Sequence, residues 1–155
     1  MATAIKIVTV TKKDLSEIAK LIQNSLQEVS SKYYPKKIIK NIAESYSQEA
    51  LERKIKERYV FVARLVENRK IVGTLQLTKD GWICGLFIRV GYQKLGIGMK
   101  LVKKSESTCR KIGLKHIRAH VAVNSIEFYK KLGYKTVKKV ELRKAGTVYR
   151  MVKKV

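Results

Sequence analysis

A chain of 155 residues with 45% hydrophobic content suits one domain, residues 1–155, built around a single core. With 35 Lys and Arg against 12 Asp and Glu the formal charge is +23, which leaves too few carboxylates for ion-pair networks and favours anionic ligands. No stretch approaches the roughly 20 apolar residues of a membrane span and no secretory signal is present, so a cytoplasmic protein without membrane contact is expected.

Ile5 to Val10 alternates like a strand, and Thr11-Lys12-Lys13-Asp14 has the form of a capping box with Asp in the Glu position. Leu15, Ile18, Ala19, Ile22, Leu26 and Val29 then recur at helical spacing, giving a helix with one buried face. Tyr33-Tyr34-Pro35 interrupts it. Ile38, Ile39, Ile42 and Tyr46 predict a second short helix, and Ser47 caps a third running through Ile55. From Tyr59 the pattern changes to strands over 59–66, 71–77 and 82–88, separated by the hairpin turns Asn68-Arg69-Lys70 and Lys79-Asp80-Gly81. A helix bearing Leu101, Val102, Ser105, Cys109 and Ile112 follows and ends at Gly113. A strand over 117–121, a short helix over 125–132 and strands over 134–142 and 147–151 around Ala145-Gly146 complete the chain. Cys84 and Cys109 fall on a strand and on a helix's inward face, without metal-like spacing, and read as reduced core residues. The charge is uneven: residues 58–155 carry 24 basic and 5 acidic side chains.

The run Gln93-Lys94-Leu95-Gly96-Ile97-Gly98 stands between an apolar strand and a lysine-rich helix. A helix start offers backbone N–H groups and the positive end of its macrodipole, and glycines admit a phosphate close to the backbone. A phosphorylated ligand is therefore expected. A nucleotide P-loop needs Lys and then Ser or Thr after its last glycine, where Met99 and Lys100 stand. A dinucleotide fingerprint needs a third glycine where Leu101 stands and an acidic residue farther on that is missing.

The Gln-x-x-Gly-x-Gly spacing instead resembles the pyrophosphate loop of the GNAT superfamily of N-acetyltransferases. Residues 82–98, WICGLFIRVGYQKLGIG, resemble that family's strand, turn and loop, and Phe128-Tyr129-Lys130-Lys131-Leu132-Gly133-Tyr134 resembles its later aromatic signature. The likeness covers most of residues 58–155, with residues 1–57 matching only in general pattern. Three departures stand out: Lys94 replaces an additional glycine, Val90-Gly91 replaces a proline before the loop, and Ala122 fills the usual Asn position while Asn124 lies two residues on.

The resemblance implies a mixed α/β fold, with a mostly antiparallel sheet of about seven strands flanked by about four helices. Residues 1–57 would lie on the acceptor side and 58–155 would form the acetyl-CoA core. Acetyl-coenzyme A would be the co-substrate, with no metal. Its pyrophosphate would lie on the amides of Gln93, Lys94, Leu95, Gly96, Ile97 and Gly98, and its pantetheine along the backbone of Phe87, Ile88 and Val90. Asn124 would be a further cofactor contact, with a helix N-cap role open beside Ser125. Tyr129 matches the family's general acid, which protonates the departing thiolate, and a backbone N–H near Ile88 would hold the oxyanion. Trp82, Cys84 and Leu86 occupy the strand where some members carry a glutamate, so the proton acceptor must come from elsewhere. Glu28, Glu44, Glu49, His116 and His120 are candidates. Tyr33, Tyr34 and Tyr46, with Tyr149, are candidate acceptor-binding aromatics, though each also suits plain packing. The acceptor would be a small-molecule or peptide amine. Two alternatives remain at this point: a basic, nucleic-acid-associated protein with this shell, using Lys100, Lys103, Lys104, Arg110 and Lys111, or a coenzyme A binder without catalysis. A homodimer is left open.

Overall fold

The computed structural model describes residues 4–155. Seven strands form one sheet: β1 (Ile5–Thr9), β2 (Arg58–Leu65), β3 (Ile71–Thr78), β4 (Trp82–Ile88), β5 (His116–Val121), β6 (Lys135–Leu142) and β7 (Gly146–Lys154). Their order is β1-β2-β3-β4-β5-β7-β6. Every neighbouring pair is antiparallel except β4 and β5. Five α-helices flank the sheet: α1 (Leu15–Glu28), α2 (Lys36–Ser45), α3 (Gln48–Lys54), α4 (Ile97–Lys111) and α5 (Ile126–Lys131). The mixed α/β architecture, the seven strands and the order of the elements are those expected, and the α-helices number five rather than about four.

Each helix forms for a local reason. Asp14 accepts from the Thr11 backbone N–H at 2.9 Å and hydroxyl at 3.1 Å, closing a 3-10 turn that leads into α1. Ser47 accepts from the Ala50 N–H and starts α3. Pro35 is the N-cap of α2, where its missing N–H costs nothing. The two faces of the sheet bury different sets. Leu15, Ile18, Ile22, Leu26 and Leu51 pack with Val62 and Ile71 on one side. Phe61, Leu75, Leu101, Val102, Cys109, Ile117 and Met151 pack on the other, beneath α4. In that second core Glu106 is buried, bonded to the Tyr134 hydroxyl at 2.8 Å and to Lys153 Nζ at 3.1 Å, so its charge has partners.

One irregularity positions the site. Gln76 pairs with Gly85 but Leu77 pairs with Ile83, so Cys84 is an extra residue on β4, a β-bulge. β4 and β5 pair only at Trp82↔Arg118 and Ile83↔Ala119. Beyond these residues the two strands part, and the edge of β4 from Cys84 to Ile88 has no strand partner on that side. Among the described residues no helix is long and apolar enough to cross a membrane.

Candidate active site: a cleft between parting strands

The parting of β4 and β5 opens a cleft of about 900 Å³. One end lies at the start of α4 and the other beneath α1, α2 and the β6–β7 turn. At the first end, Gly96 is the N-cap of α4 with φ 80°, and no side chain caps the helix. The first intrahelical bond runs from the Lys100 N–H to the Gly96 carbonyl, so the amides of Ile97, Gly98 and Met99 are left for an external acceptor. A Cβ at Gly96 would meet nothing within 4 Å, so the space beside this N-cap is open. The approach is shaped by Gln93, whose Oε1 accepts the Gly91 N–H at 2.8 Å, and by Lys94, which takes φ 63°, a left-handed conformation that favours glycine.

The six loop residues are thus not alike. Gln93, Lys94, Gly96, Ile97 and Gly98 line the cleft, whereas Leu95 is 54% exposed and lies outside it. Ile97 is buried in the core. A Cβ at Gly98 would come within 3.1 Å of the Phe128 ring, so this glycine lets α4 and α5 approach each other, while its amide stays at the helix start. Phe87 and Ile88 line the cleft and Val90 does not. The Phe87 ring packs edge-on against Tyr46 at 5.2 Å, leaving backbone as its free contribution.

Tyr129 on α5 is 4% exposed yet borders the cleft. Its ring is fixed edge-on between Phe128, 5.1 Å away, and Tyr134, 5.2 Å away. Burial alone pushes its phenol well above the usual tyrosine range, so it holds its proton at neutral pH. Asn124 lines the cleft from the turn before α5, and no side chain caps that helix, so the alternative capping role is not taken.

The anticipated acceptor aromatics separate. Tyr33 is 51% exposed and outside the cleft, and Tyr149 does not line it either. Tyr34 does, and its hydroxyl donates to the Thr147 carbonyl at 2.8 Å, tying the α1–α2 connection to the start of β7. Tyr46 is buried in the wall with its hydroxyl committed to the Cys84 carbonyl, directly at the bulge. A Cβ at Gly85 would overlap that hydroxyl, so Gly85 is the residue that admits Tyr46. Among the candidate proton acceptors, Glu28, Glu44 and Glu49 are exposed and none lines the cleft. His116 is exposed at the start of β5. His120 alone of the five lines the cleft. Its ring lies 4.8 Å from that of Trp82, and its Nε2 accepts from Arg150 Nε at 3.3 Å. Burial and the Arg150 charge hold its pKa below the ordinary histidine value, so it is neutral at physiological pH.

Several lining residues carried no local signal in the sequence. Ser25 and Leu26 lie on α1 and Val29 just beyond it, Lys144 and Ala145 come from the β6–β7 turn, and Val148 comes from β7. Cys84, anticipated as a core residue, is half-buried and lines the cleft, while Cys109 is buried. Among the described residues no three His, Cys, Asp or Glu side chains gather as a metal site.

The sequence profile described as "Acetyltransferase (GNAT) domain" matches residues 21–155. No curated protein matches the sequence. Solved structures share the fold at low identity. A GCN5-related N-acetyltransferase structure from Rhodopseudomonas palustris superposes with a TM-score of 0.89 at 17% identity, covering 100% of this chain and 99% of that one. PaiA N-acetyltransferase from Thermoplasma acidophilum, in complex with coenzyme A, gives 0.83 at 21% identity, covering 98% and 99%. A GNAT-family acetyltransferase from Staphylococcus aureus gives 0.76 at 18%, covering 97% and 99%.

Proposed function

The chain belongs to the acetyltransferase (GNAT) domain family, and from that premise we propose that it moves an acetyl group from acetyl-coenzyme A to a primary amine, both bound at once. The observation that carries this reading is the meeting, in one cleft, of an uncapped α4 start with an unpaired edge of β4. Such a pair of features fits a ligand with a diphosphate at one end and an amide-bearing chain at the other, and the coenzyme A complex of the Thermoplasma relative supports the identification.

In this reading acetyl-coenzyme A supplies an activated acyl group on a thiol leaving group. Residues 58–155 form the part that holds it and residues 1–57 the acceptor side. The amides of Ile97 and Gly98 take the pyrophosphate, with Gln93, Lys94, Leu95 and Gly96 shaping the loop over it. Backbone groups of Phe87 and Ile88 take the pantetheine as an added strand, while Val90, which lies outside the cleft, does not contribute, and Asn124 contacts it from the opposite wall. A β4 amide near Ile88 stabilises the carbonyl oxygen as it gains charge in a site walled from water. Tyr129 delivers its phenolic proton to the departing sulfur, a role that suits a phenol kept neutral by burial. Tyr34 and Tyr46 wall the acceptor end, and His120 is the proton acceptor that the cleft offers.

Calorimetry with acetyl-coenzyme A, followed by thiol-release assays over a panel of amines, tests the proposal. Saturable binding and amine-dependent thiol release are expected; binding without release by any amine leaves a coenzyme A binder and removes catalysis. A second reading rests on the exposed Lys100, Lys103, Arg110 and Lys111 along α4, a face able to contact phosphates. Filter retention of RNA or DNA that falls steeply with salt supports it, and no retention at low salt removes it.

A further inference from the structure

The acceptor end of the cleft has an unusual electrostatic composition. Not one Asp or Glu is among the residues lining it, and residues 1–3 contain no acidic side chain. Cations stand on both sides of the mouth. Lys144 lines it from the β6–β7 turn. Lys54 Nζ lies 4.4 Å from the centre of the Tyr46 ring, behind the wall that Tyr46 forms. On the opposite rim His120 leads onto Trp82, over which Arg118 and Arg150 lie at 5.8 and 5.5 Å. Among the described residues Glu44 is the one carboxylate near this mouth, in an adjoining pocket where Arg53, Lys54 and Lys144 outnumber it, and Arg118 and Arg150 stand behind the lining. An amine bearing further ammonium groups therefore meets net like charge here, whereas one with a carboxylate close to its nitrogen meets Lys144 first.

The same composition constrains the proton. An amine attacks only when neutral, and no carboxylate lines the cleft to take its proton. The lining group able to do so, His120, already has its Nε2 engaged by Arg150. Such a weak acceptor can deprotonate an α-ammonium, whose pKa is about 7.7–8.0, far more readily than a lysine or polyamine ammonium near 10.4. Close to neutral pH the difference gives the α-amine a neutral fraction about 300-fold larger. Surrounding positive charge lowers both pKa values, which narrows that ratio but leaves the α-amine well ahead. The greater intrinsic nucleophilicity of the more basic amine returns part of it.

Resting on the acetyl-transfer reading above, we propose that the acceptor is an α-amino group in an acidic setting, such as the N-terminus of a peptide whose next residues are Asp or Glu. Lysine side chains and polyamines are the wrong charge for the mouth and the wrong basicity for the site, and amino sugars with several ammonium groups are the wrong charge.

Peptides with a single acceptor amine make the comparison. One set has a free N-terminus, no free lysine ε-amine, and Asp-Glu, Ser-Ala or Lys-Arg at the next two positions, the lysine of the last being dimethylated on its ε-nitrogen. A second set has a blocked N-terminus and one free lysine; spermidine completes the panel. Activity is read as kcat/KM, and binding is read separately by calorimetry on protein saturated with coenzyme A. The expected result is a kcat/KM for the acidic α-amine peptide about 30-fold or more above the ε-amine peptide and spermidine. Its affinity should exceed that of the Lys-Arg peptide at low salt and weaken about tenfold between 50 and 300 mM salt. Lys144→Glu should narrow or reverse the acidic-over-basic ranking. Spermidine or the ε-amine peptide turning over as fast as the α-amine, or the basic peptide binding as tightly as the acidic one, overturns the inference while acetyl transfer stands. Coenzyme A binding with no member of the panel acetylated overturns both.

Discussion

Tyr129 and Tyr46 border one cleft in different settings, and the proposed reaction gives them different duties. Tyr129 is clamped by aromatic rings on both sides, and burial raises its phenol, so it keeps its proton at neutral pH, and in the proposed reaction it gives that proton to the departing sulfur. Tyr129→Phe keeps the ring packing and removes that act. We expect kcat to fall about 100-fold with little change in the KM for acetyl-coenzyme A or in the melting temperature, measured by steady-state kinetics and calorimetry. Tyr46 differs because its hydroxyl is already committed to the Cys84 carbonyl at the bulge. Tyr46→Phe leaves that carbonyl without its donor in a buried wall, which costs about 1–3 kcal/mol, read as a lower urea midpoint. An unchanged midpoint would falsify the anchoring role. Both tyrosines were conspicuous in the sequence, but their division of labour was not. It depends on Gly85 admitting the Tyr46 ring and on α5 turning Tyr129 inward, and neither is encoded within a local window.

The strands and helices themselves followed from local pattern, because alternation on β1, the short apolar runs of β2–β4, the 3.6-residue spacing of α1 and α4 and the turn residues between hairpins all act over a few residues. The glycine run opening α4 was equally plain, since a helix start needs no distant partner. The bulge was hidden, because Cys84 becomes supernumerary only when β3 sets the register. The approach of Lys144 and Val148 was hidden for a related reason: the bond from Tyr34 to Thr147 that fixes their turn spans 113 residues. Long-range fixing also governs the entrance to α1. Asp14 accepts from Thr11 and pairs with Arg64 of β2, joining the helix start to the sheet. Burial tends to raise its carboxyl, but the bonds from Thr11 and Arg64 outweigh that and leave it below the usual 3.8. A folded-state pKa below the unfolded one means that the carboxylate stabilises the fold above about pH 4, and that this contribution disappears as pH falls through the lower folded value. Asp14→Asn should therefore lower the urea midpoint at pH 7, with wild type and variant converging toward pH 2. A gap that stays constant across that range counts against the ionised pair.

The charge of the molecule gives its ligand site a background against which to be measured. Four ion pairs are present among the described residues, against 35 basic side chains in the chain, so most of the positive field is unopposed and destabilises the compact state by self-repulsion. Any anion relieves part of this by screening. Only one that fits the cleft also gains from the α4 amides and the free edge of β4. Ligand held at 100 times its Kd stabilises by about 2.7 kcal/mol, which for a domain of this size raises the melting temperature by about 5–10 °C. Coenzyme A should give such a shift at both 50 and 300 mM NaCl when its concentration is scaled to the Kd measured at each. Inorganic phosphate should help at low salt and lose nearly all effect at high salt, where the Debye length shrinks to well under 10 Å. Scanning calorimetry with the two ligands separates a built diphosphate site from a diffuse field. Equal shifts from phosphate and coenzyme A at 300 mM NaCl would mean that the glycine loop confers no specificity beyond the charge around it.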